Sequence, residues 1–292
     1  MNILIFGASG MLGHKLVQRL SPSFNVSSTI RGGFDEISRF GIFDPDKTIV
    51  NVAADDTSAI ERAIERSQPD VVINAVGIIK QLPTAKDVIT TLTVNSIFPH
   101  RLAQFGEKYG FRLIEISTDC VFDGIRGNYN ETDTPNATDL YGKSKNLGEV
   151  TGPNCLTLRS SIIGRELSSS HSLVEWVLSN RGGSIKGFTH AVYSGFSTIA
   201  FADIISNLIT EYPQLSGLYH IASDPISKFE LLHLINQYFD AGINIEASDE
   251  LRIDRSLDAS RFKAITGFKP ISWKEMIENM AGDETPYDSW RK

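Results

Sequence analysis

The chain has 292 residues, 41% hydrophobic and 22% charged, long enough for a substantial core in one large domain or two closely joined ones. A formal net charge of -7 argues against nucleic acid or an anionic membrane as partner, because both attract basic surfaces. Two cysteines, Cys120 and Cys155, are too few for a disulfide framework and suit a reducing compartment.

The first residues are already strand-like, with no charged leader and no long apolar stretch, so neither a signal peptide nor a membrane span is expected and a cytoplasmic location is the default. The apolar run Ile3 to Phe6 is followed by Gly7-Ala8-Ser9-Gly10-Met11-Leu12-Gly13. A helical pattern then opens with Leu12, Leu16, Val17 and Leu20 on one side. A strand-to-helix turn of this kind lets backbone approach a pyrophosphate at a helix N-terminus, so Gly7, Ser9, Gly10, Met11, Leu12 and Gly13 are the expected phosphate cradle. A purely structural turn has the same glycine content, and the position after the first strand favours the cofactor reading.

The second strand is expected over 25–30. An acidic residue at its end would bind the ribose hydroxyls of NAD, whereas this chain offers Ser28, Thr29 and Arg31. A guanidinium beside two hydroxyls suits a 2′-phosphate, so NADPH is favoured, with NADH as the alternative. Asp35 and Glu36 lie too far along the chain to serve easily.

Further strands are expected near 48–53, 71–75, 112–117 and 155–159, alternating with helical patterns as a doubly wound parallel sheet requires. Asp56 begins a helix carrying Ile60, Ala63 and Ile64 that stops before Pro69. The stretch Val71-Val72-Ile73-Asn74 reads as a buried central strand whose loop, Asn74, Ala75, Val76 and Gly77, lies beside the cofactor. Asn95 to Tyr109 is an amphipathic helix.

Two segments carry chemistry: Ser-Thr-Asp-Cys-Val-Phe-Asp-Gly at 117–124 and Tyr-Gly-Lys-Ser-Lys at 141–145. Tyr141 and Lys145 are four apart and share one helix face, where an ammonium can hold a phenol near ionisation. Thr118, on a strand end, can hold a carbonyl oxygen, and the hydride must come from a nicotinamide because no side chain carries one. Taken singly these are a packed aromatic, a solvated lysine and a strand-end cap; their joint spacing favours a ketone-reducing site.

Beyond Ile163 the pattern loosens. A short helix is expected at Leu173 to Leu178, then a loop with Arg181, Lys186, His190, Tyr193 and Phe196, a composition suited to sugars and phosphates. Ser227-Lys228-Phe229-Glu230 and Ser272-Trp273-Lys274-Glu275 are helix-starting capping boxes. The expected division is a dinucleotide-binding domain over 1–163 and a smaller mixed α/β substrate-binding region over 164–292, with part of 198–222 returning to the first sheet.

These motifs, with Pro69 to Asn74, Asn95 with Pro99, Tyr141 to Glu149 and Leu158-Arg159-Ser160-Ser161, resemble the extended short-chain dehydrogenase/reductases, specifically their dTDP-4-dehydrorhamnose reductase-like branch. The resemblance implies a Rossmann-like fold and NADPH- or NADH-dependent reduction of a 4-keto-6-deoxyhexose on a nucleoside diphosphate, for polysaccharide precursor synthesis. It implies Thr118, Tyr141 and Lys145 as catalytic set, Asn74, Ala75, Val76, Gly77 and Ser117 beside the cofactor, and Cys120, Phe122, Tyr193 and Arg255 on the substrate side. Arg252 is a weaker candidate for the diphosphate, and surface salt bridges account equally well for both arginines.

The chain departs from that pattern at Cys120, where tyrosine is frequent, at Ala53, where an acid often holds adenine, and in the loop from Ala75 to Lys80. Dehydratases of this fold place Asp-Glu after the threonine, and here Asp119 is followed by Cys120, so dehydration is disfavoured. Epimerases keep NAD bound, against which Arg31 speaks. A non-catalytic dinucleotide-binding regulator, resembling the regulatory subunit of methionine adenosyltransferase, is the alternative of a different class. No residue cluster demands a metal. Helices at 92–109 and 141–150 suit a homodimer, although helices covering a sheet read the same way.

Overall fold

A computed structural model describes residues 1–291. The chain divides into two compact units: residues 1–117, 138–158 and 202–218 form the first, and residues 118–137, 159–201 and 219–292 the second. Residues 202–218 return to the first unit, within the expected 198–222, whereas residues 118–137 and 159–163, expected in the first domain, group with the second unit.

The first unit is built on a sheet of β1 (Asn2–Phe6), β2 (Asn25–Thr29), β3 (Thr48–Ile49), β4 (Val71–Asn74), β5 (Arg112–Thr118), β6 (Cys155–Ser160) and a later strand, Gly217–His220, the ends of the last three continuing into the second unit. The order runs Gly217–His220, β6, β5, β4, β1, β2, β3, and the pairs β1/β2, β1/β4, β2/β3 and β4/β5 are parallel. Strand order therefore reverses between β1 and β4, the switch point of a doubly wound, Rossmann-like sheet. β3 is shorter than the expected 48–53 because Asn51 takes φ 57°, a left-handed conformation that ends an extended run.

Helices α1 (Gly13–Leu20), α2 (Thr57–Ser67), α3 (Val88–Leu92), α4 (Phe98–Tyr109) and α5 (Leu140–Leu147) fill the connections. On one sheet face Leu4, Phe6, Val72 and Leu113 pack with Ile60, Ile64, Leu102 and Phe105. Ile3, Ile5, Ile73 and Ile114, which alternate with them, are also buried. A sheet covered on both faces explains the unbroken apolar reading of β4. Asp56 caps α2 through Ala59 N.

The helical run predicted from Asn95 begins earlier, at Val88, and contains a π-helical turn at residues 93–97. Pro99 has no N–H to give the Asn95 carbonyl four residues back, and Phe98 N bonds to Thr93 O, five residues back.

The second unit holds β7 (Ile162–Ile163), β8 (Ser184–Tyr193), β9 (Phe196–Ser197), β11 (Ile226–Ser227) and β12 (Asn244–Asp254), with Gly217–His220 counted as β10. Its helices are α6 (Leu173–Ser179), α8 (Lys228–Tyr238), α9 (Ser260–Thr266), α10 (Trp273–Ala281) and α11 (Tyr287–Trp290), while α7 (Thr198–Thr210) runs on into the first unit. β8 pairs parallel with β12 and antiparallel with β11. The expected loop at 181–196 is thus largely a ten-residue strand. Ser227 and Glu230 form a reciprocal capping box on α8, and Ser272 caps α10. No helix among the described residues is long and apolar enough to cross a membrane.

Candidate active site

At the switch point the turn after β1 is shaped by absent side chains. Gly7 has φ 82°, and a Cβ there would lie 2.9 Å from Val76 Cγ2; one on Gly13 would lie 2.1 Å from the Gly7 carbonyl oxygen. Gly10 N donates to Gly7 O at 3.0 Å, closing the turn. Ser9, Gly10 and Met11 reach the surface while Leu12 is buried, so Leu12 offers only backbone. The loop Ala75–Gly77 lies against this turn, and the arrangement fits the close backbone approach that a dinucleotide pyrophosphate requires.

The end of β2 differs from expectation in two respects. Ser28 and Thr29 are buried, and Ser28 Oγ lies 3.3 Å from Thr48 Oγ1, so their hydroxyls are not surface groups for a phosphate. Arg31 is exposed. Glu36 folds back until its carboxylate lies against Gly32, within 2.1 to 2.4 Å of where a Cβ would stand. An acid from farther along the chain therefore reaches the strand end that the sequence reading left without one.

Asp139 caps α5 by accepting from Gly142 N at 3.0 Å. Tyr141 and Lys145 follow one turn apart. Lys145 Nζ donates to Glu115 Oε1 at 3.1 Å, both side chains being buried. Asn74 Nδ2 donates to Glu115 Oε2 at 2.6 Å, and Asn74 Oδ1 accepts from Val76 N at 3.0 Å. Burial raises the proton affinity of Glu115 above the usual carboxylate range, opposed by the Lys145 charge and the Asn74 amide. From the loop after β4, Lys80 pairs with Asp139 at 2.8 Å and lies 5.6 Å from the Tyr141 ring centre.

The other motif residues acquire structural reasons. Asn95 Oδ1 accepts from Ile78 N, and its Nδ2 donates to Ile78 O and Ser144 Oγ. A Cβ on Gly148 would lie 1.9 Å from the Asn95 carbonyl oxygen, so α5 ends on the glycine that lets it approach that carbonyl. Ser117 Oγ donates to Glu149 Oε1 at 2.6 Å. Asn74 and Ser117, expected beside the cofactor, thus spend their side chains on protein partners.

In the second unit, Thr118 Oγ1 donates to Asp119 Oδ1 at 3.0 Å and accepts from Cys120 N at 3.1 Å. Burial raises the Asp119 carboxyl above its ordinary range, opposed by Thr118 and by the Arg255 charge. Tyr193, Asp119, Cys120 and Arg255 interact electrostatically, with burial the largest cause of the raised Tyr193 phenol, so most of the expected substrate group assembles here. Two of its members behave differently from expectation. Phe122 is 0% exposed, stacked on Tyr129 with ring centres 4.2 Å apart, and is a core residue rather than a contact surface. Arg255 donates to Phe122 O at 2.8 Å and approaches Asp123 O, so part of its guanidinium holds the chain at 122–123. Gly124, at φ 83°, admits Ile253 and Arg255 where a Cβ would clash. Arg252 is exposed on β12, 3.9 Å from Asp249, apart from this group.

Glu115 and Lys80 contact the candidate residues without having been named from the sequence; Glu36 was set aside as too far along the chain, and Asp119 was read only as a mark against dehydration. Glu115 did leave a signal: a single acid inside the apolar run Leu113-Ile114-Glu115-Ile116 must find a partner when buried.

Comparison with known proteins gives a match to the RmlD substrate-binding domain model over residues 1–285. A dTDP-4-dehydrorhamnose reductase of Aggregatibacter actinomycetemcomitans is 22% identical, the alignment covering 95% of this chain and 97% of that protein. Methionine adenosyltransferase 2 subunit beta of Danio rerio is 30% identical over 82% of this chain and 74% of its own. The crystal structure of a hypothetical dTDP-4-dehydrorhamnose reductase from Sulfolobus tokodaii superposes with a TM-score of 0.77 at 27% identity, covering 94% of this chain and 98% of that one.

Proposed function

Because the chain belongs to the RmlD substrate-binding domain family, we propose that it is an NADPH-dependent reductase of the 4-keto group of a nucleotide-activated 6-deoxyhexose, serving polysaccharide precursor synthesis. The observation that carries this reading is the α5 pair: Tyr141 one turn before a buried Lys145, whose ammonium is tied through Glu115 and Asn74 to the loop packed on the glycine turn.

A bound nicotinamide dinucleotide supplies the hydride that reduces the C4 carbonyl carbon. The glycine turn from Gly7 to Gly13 takes the pyrophosphate on backbone N–H groups. Tyr141 gives its phenolic proton to the carbonyl oxygen as that oxygen gains charge, so the ketone becomes an alcohol and the proton is replaced from solvent. Lys145 favours the phenolate that remains and holds the nicotinamide ribose. Thr118 orients the carbonyl oxygen. Its proton is directed at Asp119 in the resting protein, so substrate binding has the hydroxyl exchange that partner for the carbonyl oxygen. Cys120, Tyr193 and Arg255 are assigned to the sugar and diphosphate.

Arg31 supports NADPH, while the Glu36 carboxylate at Gly32 opposes a 2′-phosphate there. The preference is accordingly one that a single charge change shifts.

The deciding assay follows oxidation of NADPH and NADH by absorbance with dTDP- and UDP-linked 4-keto-6-deoxyhexoses, including an N-acetylated one, made in situ by their dehydratases. Rapid oxidation with one sugar supports the reductase and names its substrate. Tight dinucleotide binding with no oxidation by any sugar refutes it and favours the regulatory reading, which the 30% identity to the adenosyltransferase subunit keeps as the second candidate.

A further inference from the structure

Glu115 is a buried charged group of the first unit for which the proposed reaction has no direct use. Register places it directly opposite Asn74 on the neighbouring strand, so both side chains share one sheet face. It is 1% exposed, and its two oxygens are divided between two elements: one takes Lys145 from α5, the other takes Asn74 from β4, whose own oxygen fixes Val76 N in the following loop. Glu149 and Cys155 are the other titratable groups that sense it.

We infer that Glu115 is the positioning residue of Lys145: its carboxylate holds the ammonium in one direction, and through Asn74 locks it to the loop beside the glycine turn. An ammonium has three N–H donors, so one committed to Glu115 sets the direction of the two that remain for the nicotinamide ribose and Tyr141. The inference rests on the assignment of Lys145 to that ribose. It accounts for an acid in the middle of an apolar strand, which packing alone disfavours.

The test is a binding cycle independent of turnover. Affinity for NADPH and NADH is read by fluorescence, and affinity for ADP, which lacks the nicotinamide riboside, by calorimetry. The proteins are wild type, Glu115→Gln, Lys145→Met and the double variant. Glu115→Gln is expected to weaken dinucleotide binding about tenfold, the scale of one charge-assisted hydrogen bond, to leave ADP binding nearly unchanged, and to add nothing once Lys145 is Met. Equal losses in both lysine backgrounds, equal losses for ADP, or no loss at all would overturn the inference.

Should Glu115→Gln fail to fold, Glu115→Asp keeps the charge one methylene short. Its smaller loss must likewise vanish in the Lys145→Met background, and persistence there counts against the inference. Wild-type protein that binds dinucleotide but reduces no sugar refutes the proposed reaction while this cycle still decides Glu115; absence of dinucleotide binding by the wild type overturns both.

Discussion

At the scale of single residues the proposed chemistry rests on Tyr141. Replacing it with phenylalanine removes the proton donor and leaves the ring, so turnover is expected to fall about 10²- to 10⁴-fold with dinucleotide affinity nearly intact; steady-state rates beside a fluorescence titration check this, and unchanged turnover sinks the assignment. Cofactor choice is argued from two opposed charges. Arg31→Asp is expected to move the ratio of kcat/KM for NADPH over NADH toward NADH, and Glu36→Gln to move it the other way. If neither variant changes the ratio, the end of β2 does not select the cofactor. Arg31 was legible because it stands beside a strand end in sequence. Glu36 was not, because only the backbone of residues 32–36 determines that its carboxylate turns back onto Gly32.

At the scale of elements, the segment from Val88 to Tyr109 shows how two residue types act together. Pro99 withholds a donor, the helix widens at residues 93–97, and Asn95 uses its side chain to hold Ile78 N and Ile78 O. Asn95→Ala leaves those groups unpaired in a buried setting, and the expected destabilisation is about 1–3 kcal/mol per group, read as a lower urea midpoint at unchanged slope. Gly148→Ala drives a methyl into the Asn95 carbonyl, with a loss of similar size, about 1–3 kcal/mol. A wild-type midpoint in either variant refutes this account. The same two helices were recognised in the sequence from their apolar period, but the π turn was not, since that period does not show where the ladder shifts from a four- to a five-residue bond. β8 was missed for a related reason. Its alternation is weak, and its main partner, β12, lies about sixty residues later, so a pairing invisible in local pattern holds it extended.

At the scale of the whole molecule, stability should carry the signature of His220. This ring is fully buried; its Nε2 accepts from Arg159 at 3.2 Å, and its Nδ1–H donates to Tyr129 O at 3.0 Å. Burial, then the Arg159 charge, lowers it from 6.5 to about 4, while Tyr129 O, Asp258 and Asp133 act in the opposite sense. Between those values the unfolded chain binds the proton and the folded one does not. The contribution is therefore complete above pH 6.5, declines as pH falls toward 4, and is exhausted below; its size is about 3 kcal/mol. His220→Gln, which keeps polar atoms in place, should flatten that slope in denaturant titrations across the window, and an unaltered slope refutes the assignment.

What the sequence determined by itself was whatever is written within a turn or a strand. The glycine turn, the four-residue spacing of Tyr141 and Lys145, the buried run of β4 and the capping of α2 and α8 are set by neighbours a few positions apart, because helix and strand periods act over that range. What only the tertiary structure decided was which partner each polar group takes. Asn74 meets Glu115 across 41 positions, Lys145 meets Glu115 across 30, and Ser117 meets Glu149 across 32. Parallel strand register and the docking of α5 bring these together, and a side chain removed from water must bond to whatever arrives beside it.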